Sequence, residues 1–217
     1  MKKEDIDEVV RILKEAYKSF KEPVVTEVAK DKDPYKVLVS TVLSLRTKDE
    51  TTKEASLRLF ERAPDIFTLK QLKQEEIEKL IYPVGFYKTK AKNLKKIAQI
   101  IVDEYDGVVP SNLNDLLKLP NVGLKTANLV LAKGYNIPAI CVDIHVHRIS
   151  NRLGLVKTKA PEETEVALSN ILPKKYWIEF NDLLVPFGQN ICRPTSPFCS
   201  KCPIYDFCDR VGVQKWR

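Results

Sequence analysis

Four cysteines crowd the last 26 residues of this 217-residue chain, in the pattern Cys192-x6-Cys199-x2-Cys202-x5-Cys208. Four soft thiolates within 17 consecutive residues form the donor set of a compact metal centre. Their spacing accepts either a four-thiolate zinc ion or an iron–sulfur cluster. Disulfides are the competing use of such a set in small secreted proteins. The opening Met1-Lys2-Lys3-Glu4-Asp5 carries no apolar leader, and no run approaches the roughly 18 apolar residues needed to span a bilayer. The expectation is therefore a metal in a reducing cytoplasm, or at the nucleoid of a prokaryote, with no membrane partner. The fifth cysteine, Cys141, lies in Ala139-Ile140-Cys141-Val142 and reads as a small buried hydrophobe.

A second chemical feature is the run Leu119-Pro120-Asn121-Val122-Gly123-Leu124-Lys125-Thr126-Ala127-Asn128. Its Pro/Asn/Gly turn joins two apolar helical segments into a helix-hairpin-helix. Gly123 supplies backbone freedom, and Asn121 tolerates left-handed geometry better than most residues. The free amides of such a turn, backed by the positive end of the second helix, suit a DNA phosphate, although a merely packed αα-corner uses the same turn residues. Thirty-six Lys+Arg against 29 Asp+Glu give a net charge of +7, which favours a polyanionic partner. Lys88, Lys92 and Lys96 align at i, i+4 spacing as a cationic ridge, opposite a buried stripe of Ala91, Leu94, Ala98 and Ile101.

These residues must be positioned by helices. Only seven glycines punctuate the chain, and apolar residues recur at three- and four-residue spacing, so the fold class is all-α. The periodicity predicts helices near 6–17, 35–45, 50–62, 74–82, 88–105, 112–118, 124–133, 144–153, 161–171 and 174–186. At 139–146 the Ile and Val cluster leaves a strand and a short extended link equally open. Asp49 reads as a helix N-cap. The alternation Asp143, His145, His147 would align as metal ligands only on an extended segment, so a packed histidine is the expectation for His145.

The hairpin, the segment Val142-Asp143-Ile144-His145-Val146-His147-Arg148 and the cysteine loop occur in the order found in the endonuclease III family of DNA glycosylases, which the chain resembles. Leu43-Ser44-Leu45-Arg46-Thr47-Lys48-Asp49 and Gly85-Phe86-Tyr87-Lys88-Thr89-Lys90-Ala91 extend the resemblance over most of the chain. The resemblance implies two all-α lobes: a six-helix barrel domain near 31–137 carrying the hairpin, and a cluster domain of 1–30 plus 138–217. It implies a [4Fe-4S] cluster on Cys192, Cys199, Cys202 and Cys208, and a monomer acting on double-stranded DNA with damaged bases or abasic sites. Lys125 would be the amine nucleophile that forms a Schiff base, and Asp143 the carboxylate that stabilises the cationic sugar or moves a proton. Removal of oxidised pyrimidines followed by beta-elimination is the implied reaction.

The DNA contacts implied are Arg46, Phe86, Lys88, Pro120, Asn121, Val122 and Gly123, with Arg193 and Lys201, joined by Arg210, on the cluster loop. Three positions depart from the family pattern. Asn121 replaces a more usual glycine, Arg46 stands where glutamine commonly fills the space left by the extruded base, and Phe86 replaces a wedge leucine. Arg46 leaves room for a uracil or thymine mismatch glycosylase. A non-catalytic helix-hairpin-helix module is the reading from a different class, and it predicts salt-dependent DNA binding without base release.

Overall fold

Helices start where the chain supplies a cap and an apolar repeat. The computed structural model describes all 217 residues, and its α-helices run in chain order as α1 (Ile6–Tyr17), α2 (Val24–Val28), α3 (Pro34–Ser44), α4 (Asp49–Arg62), α5 (Ile66–Gln71), α6 (Gln74–Ile81), α7 (Tyr87–Glu104), α8 (Leu113–Leu116), α9 (Leu124–Leu129), α10 (Ile144–Arg152), α11 (Pro161–Ile171) and α12 (Trp177–Asn190), with no strand. The all-α class holds. The chain divides into two compact units, one of Val24–Ile137 and one of Met1–Pro23 with Pro138–Arg217.

In the 24–137 unit, α3 is the central element. Asp33 accepts hydrogen bonds from the amides of Tyr35 and Lys36, and Pro34 fills the first turn, where no amide partner is needed. Val37, Leu38, Val39, Val42 and Leu43 are fully buried, so this helix is apolar nearly all round. The Tyr35 hydroxyl donates to the Ala63 carbonyl at 2.7 Å, which satisfies its polar tip inside that layer. Around α3 stand α4, α7 and α9, and α7 buries Ala91, Leu94, Ile97, Ala98 and Ile101 while Lys88, Lys92 and Lys96 stay exposed.

In the other unit, α1 lays Ile6, Val9, Val10 and Leu13 into a core with Val146 and Ile149 of α10 and Phe180, Leu184 and Phe187 of α12. Each such side chain contributes about 1.5–3 kcal/mol of gross burial. No helix is long and apolar enough to cross a membrane.

Several local expectations change. The single-turn helices α2 and α5 were not anticipated. Residues 139–143 form a link without strand pairing before α10, and Asn181 Nδ2 donates to the Cys141 carbonyl at 3.2 Å. Cys141 itself is buried, as expected. Asp49 is the first helical residue rather than the cap, because Lys48 holds the N-cap position. The predicted 174–186 segment starts as a 3-10 turn, Lys174–Tyr176, and α12 then continues through an internal Pro186 to Asn190. Beyond α9 the chain widens into a π turn, Val130–Gly134. A Cβ on Gly134 would lie 2.8 Å from Cα of Pro34, so glycine lets this turn sit directly on the start of α3.

Candidate functional site

The hairpin is built from α8, the connecting residues 117–123 and α9. Asn112 caps α8 by accepting the Asp115 amide at 3.0 Å. In the turn Asn121 is the left-handed residue, with φ 62, while the buried Val122 returns its amide to the Leu119 carbonyl at 3.2 Å. Gly123 is extended (φ -98, ψ -179) and caps α9 without a side chain. A Cβ there would meet nothing within 4 Å. The left-handed geometry of the turn is therefore taken by Asn121, and at Gly123 the space a side chain would occupy is open. Lys125 lies half-buried in the first turn of that helix. Pro120 is half-buried and Asn121 exposed at the hairpin tip.

A second assembly in the same unit joins two loops. Arg46, just after α3, and Phe86, just before α7, both have left-handed backbones, with φ 52 and 57. Left-handed geometry costs a non-glycine residue about 1–2 kcal/mol, so the surroundings must impose it. Lys90 does so from the buried side. It is only 3 % exposed, and its ammonium donates to the carbonyls of Leu43 at 2.8 Å and Leu45 at 2.5 Å and to Thr47 Oγ1 at 3.2 Å. Three donors meet three oxygens, none of them charged. Burial accordingly lowers the Lys90 pKa to about 8. Thr47 Oγ1 also accepts the Gly85 amide at 3.2 Å, and a Cβ on Gly85 would come within 2.6 Å of the Arg46 carbonyl oxygen. Above this bracket the Arg46 guanidinium lies 5.8 Å from the centre of the Phe86 ring, within cation–π range. Phe86 is 64 % exposed, a strong departure for an aromatic held in so fixed a backbone.

The sequence reasoning singled out Arg46, Phe86 and Lys88 but missed Lys90, Thr47 and Gly85. A signal was present. Lys90 continues the buried stripe Leu94, Ile97 and Ile101 at four-, seven- and eleven-residue spacing, a position where lysine needs a reason.

In the other unit Asp143 is buried and caps α10, its Oδ1 accepting the amides of His145 and Val146 at 2.9 Å each. The helix sends the histidines to different partners: His147 Nδ1 lies 2.7 Å from Thr164 Oγ1, and His145 Nδ1 lies 3.1 Å from Arg148 Nη2. Arg148 in turn donates to the carbonyls of Gly188 at 3.1 Å and Cys192 at 2.9 Å, which ties α10 and the end of α12 to the start of the cysteine loop.

Cys192, Cys199, Cys202 and Cys208 line one cavity, together with Arg152, Phe187, Ile204 and Arg210. None forms a disulfide. No group of three or more His, Cys, Asp or Glu side chains in the chain is arranged to hold a metal ion. Burial pushes the Cys202 thiol up to about 12 and raises Cys199 and Cys208 as well. Donors raised in this way ionise when a cationic centre supplies the missing counter-charge, so the chemistry of the set fits a thiolate-bound metal group. Arg152 Nη1 donates to Cys192 Sγ at 3.4 Å and to the Arg193 carbonyl at 2.6 Å. Arg193 packs on Phe198 with 5.1 Å to the ring centre, and Arg210 on Tyr205 with 4.3 Å. Lys201 projects from the same loop, exposed.

Residues 39–174 match the model of the HhH-GPD superfamily of base excision DNA repair proteins. The chain belongs to that superfamily. Within it, the endonuclease III of Thermotoga maritima is 50% identical over 182 residues, covering 83% of this chain and 84% of the relative. A solved non-covalent endonuclease III–DNA complex superposes with a TM-score of 0.85 at 31% identity, covering 97% of this chain and 96% of that one. A trapped endonuclease III–DNA covalent intermediate gives a TM-score of 0.85 at 32% identity over 97% of both chains. The endonuclease III resemblance is thus sound, and it makes this HhH-GPD member a DNA glycosylase/lyase of base excision repair. Lys125 stands in the 24–137 unit, Asp143 and the cysteines in the other.

Proposed function

We propose that this chain removes oxidised pyrimidines such as thymine glycol from double-stranded DNA and then cleaves the abasic site. The observation that carries the reading is Lys125 in the first turn of α9, directly behind a hairpin whose Gly123 leaves the backbone open. Open amides at a helix start suit a DNA phosphate, and a lysine there lies beside the sugar of a nucleotide held by that phosphate. The damaged nucleotide must first leave the stack. The Lys125 Nζ lone pair attacks C1′ and the nitrogen sheds a proton; the C1′–N bond to the base breaks and the base departs with its bonding electrons and a proton. The sugar ring then opens to the Schiff base, and loss of a C2′ proton expels the 3′ phosphate. Asp143, whose carboxylate is already pinned by two amides, stabilises the cationic sugar. The trapped covalent complex of an endonuclease III relative is consistent with a lysine nucleophile.

In this reading Arg46 and Phe86 enter the space left by the extruded base, Lys88, Pro120, Asn121 and Val122 line the duplex beside it, and Arg193, Lys201 and Arg210 meet phosphates from the cysteine loop. Cys192, Cys199, Cys202 and Cys208 would hold a [4Fe-4S] cluster, which would supply the cationic centre that fixes this loop. The chain works as a monomer on DNA of the cytoplasm or nucleoid, with residues near 31–137 as a six-helix barrel and the remainder as the cluster domain. Arg46 supports a second reading. A guanidinium at the vacated position can donate to O6 on the exposed pairing edge of an orphan guanine, which would favour uracil or thymine opposite guanine. Single-turnover assays on thymine glycol, mismatch and abasic duplexes with borohydride present separate the two. Lys125→Ala should abolish the trapped adduct; full trapping by that variant refutes the nucleophile, and binding without any base release would leave a non-catalytic module.

A further inference from the structure

Lys90 is the most deeply buried charged side chain of the 24–137 unit, and nothing in the lysine chemistry above uses it. Its three acceptors belong to the end of α3 and the residues just beyond: Leu43, Leu45 and Thr47. Arg46 sits between the last two. Lys90 itself rises from the start of α7, four residues after Phe86, and its amide donates to the Phe86 carbonyl at 3.0 Å. One residue therefore anchors both left-handed positions, one through its side chain and one through its backbone. Thr47 Oγ1 completes the link by accepting from Lys90 Nζ and from the Gly85 amide.

We infer that Lys90 is a positioning residue for base extrusion: its ammonium clamps the Leu45–Thr47 backbone so that Arg46 and Phe86 meet the duplex as one prebuilt wedge. This rests on the reading that Arg46 and Phe86 enter DNA. A wedge assembled in advance spends no binding energy on ordering two loops when it enters the stack. A helix-capping lysine with no part in DNA opening would use the same contacts but would not alter duplex work selectively.

The test compares abasic-site lyase rates on one oligonucleotide as a duplex and as a single strand. Single-stranded DNA has no stack to open, so the ratio of the two rates isolates extrusion from the lysine chemistry. Lys90→Met should lower the duplex-to-single-strand ratio roughly 10- to 100-fold, the scale of a displacement of about 1 Å in a positioned group. 2-Aminopurine placed opposite the lesion should lose most of its unstacking signal in the same variant. Thr47→Val, which keeps shape but removes the shared acceptor, should lower the ratio, and Thr47→Ser should restore it. These two variants carry the test if Lys90→Met fails to fold. A ratio unchanged in the folded variants, or single-strand and duplex rates falling together, overturns the positioning role. Arg46→Ala and Phe86→Ala report the underlying reading separately. If they leave the ratio intact, the wedge itself is refuted; if they lower it while the Lys90 and Thr47 variants do not, only the role of Lys90 fails.

Discussion

Asp143 holds two jobs that a pair of substitutions can separate. Its Oδ1 accepts the amides of His145 and Val146 at 2.9 Å each, and the proposed chemistry uses the negative charge of the same carboxylate. Asp143→Ala removes both. Loss of an N-cap costs about 0.5–2 kcal/mol, which for a chain of this size lowers Tm by roughly 1–8 °C. Asp143→Asn keeps an oxygen acceptor of the same geometry, so the cap survives. What remains is the loss of a charge at a helix N-terminus, about 0.3–1 kcal/mol. The two variants therefore diverge in stability but converge in catalysis, because an amide cannot neutralise a cationic sugar. Single-turnover base release should fall about 10²- to 10⁴-fold in both. Thermal melts and burst-phase rates on one lesion duplex measure the two quantities side by side. Wild-type excision by Asp143→Asn would show that this residue is a helix cap and nothing more. Equal destabilisation by Asn and Ala would refute the cap.

Gly85→Ala should destabilise the chain by about 1–3 kcal/mol and slow duplex excision, because the new methyl meets the Arg46 carbonyl oxygen at 2.6 Å, a rigid backbone atom; urea titration and excision rates check this, and a neutral substitution would contradict the close approach. Lys90 predicts a pH dependence of stability. Its folded pKa is about 8 against 10.5 when unperturbed, so the burial cost is complete below about 8 and is relieved as pH rises toward 10.5, where the unfolded chain still holds the extra proton. Wild type should therefore gain stability relative to Lys90→Met between pH 7 and pH 9.5 in urea titrations, and parallel curves would refute the shift. For the cysteine loop, iron and acid-labile sulfide should co-purify with wild type and be lost in Cys202→Ser, with faster proteolysis after Ile191; zinc in their place would overturn the cluster.

The long amphipathic elements were legible in the sequence because they repeat their pattern several times. α1 offers Ile6, Val9, Val10 and Leu13, and α7 offers Ala91, Leu94, Ile97, Ala98 and Ile101 over about three turns. α2 and α5 escaped because a single turn contains no period to read, although Asp65, which accepts the Thr68 amide at 2.7 Å, was an N-cap in plain view. Pro186 looked like a helix end; tertiary burial of Phe180, Leu184 and Phe187 outweighs the one missing amide. At the candidate site, the hairpin and the cysteine set were visible as local strings. The Lys90 bracket was not, because two of its three acceptors are backbone carbonyls 45 and 47 residues away in sequence, and a carbonyl leaves no trace in residue type.

The interrupted unit sets an order of events during synthesis. α1 finds its core partners only in segments that begin at Pro138, so at about 5–20 residues per second the ribosome spends roughly 5–20 s making the intervening chain. During that interval the 24–137 unit is complete enough to fold, while Ile6, Val9, Val10 and Leu13 have nothing native to cover them. The nascent chain thus carries an amphipathic helix whose apolar face stays uncovered until α10 and α12 emerge.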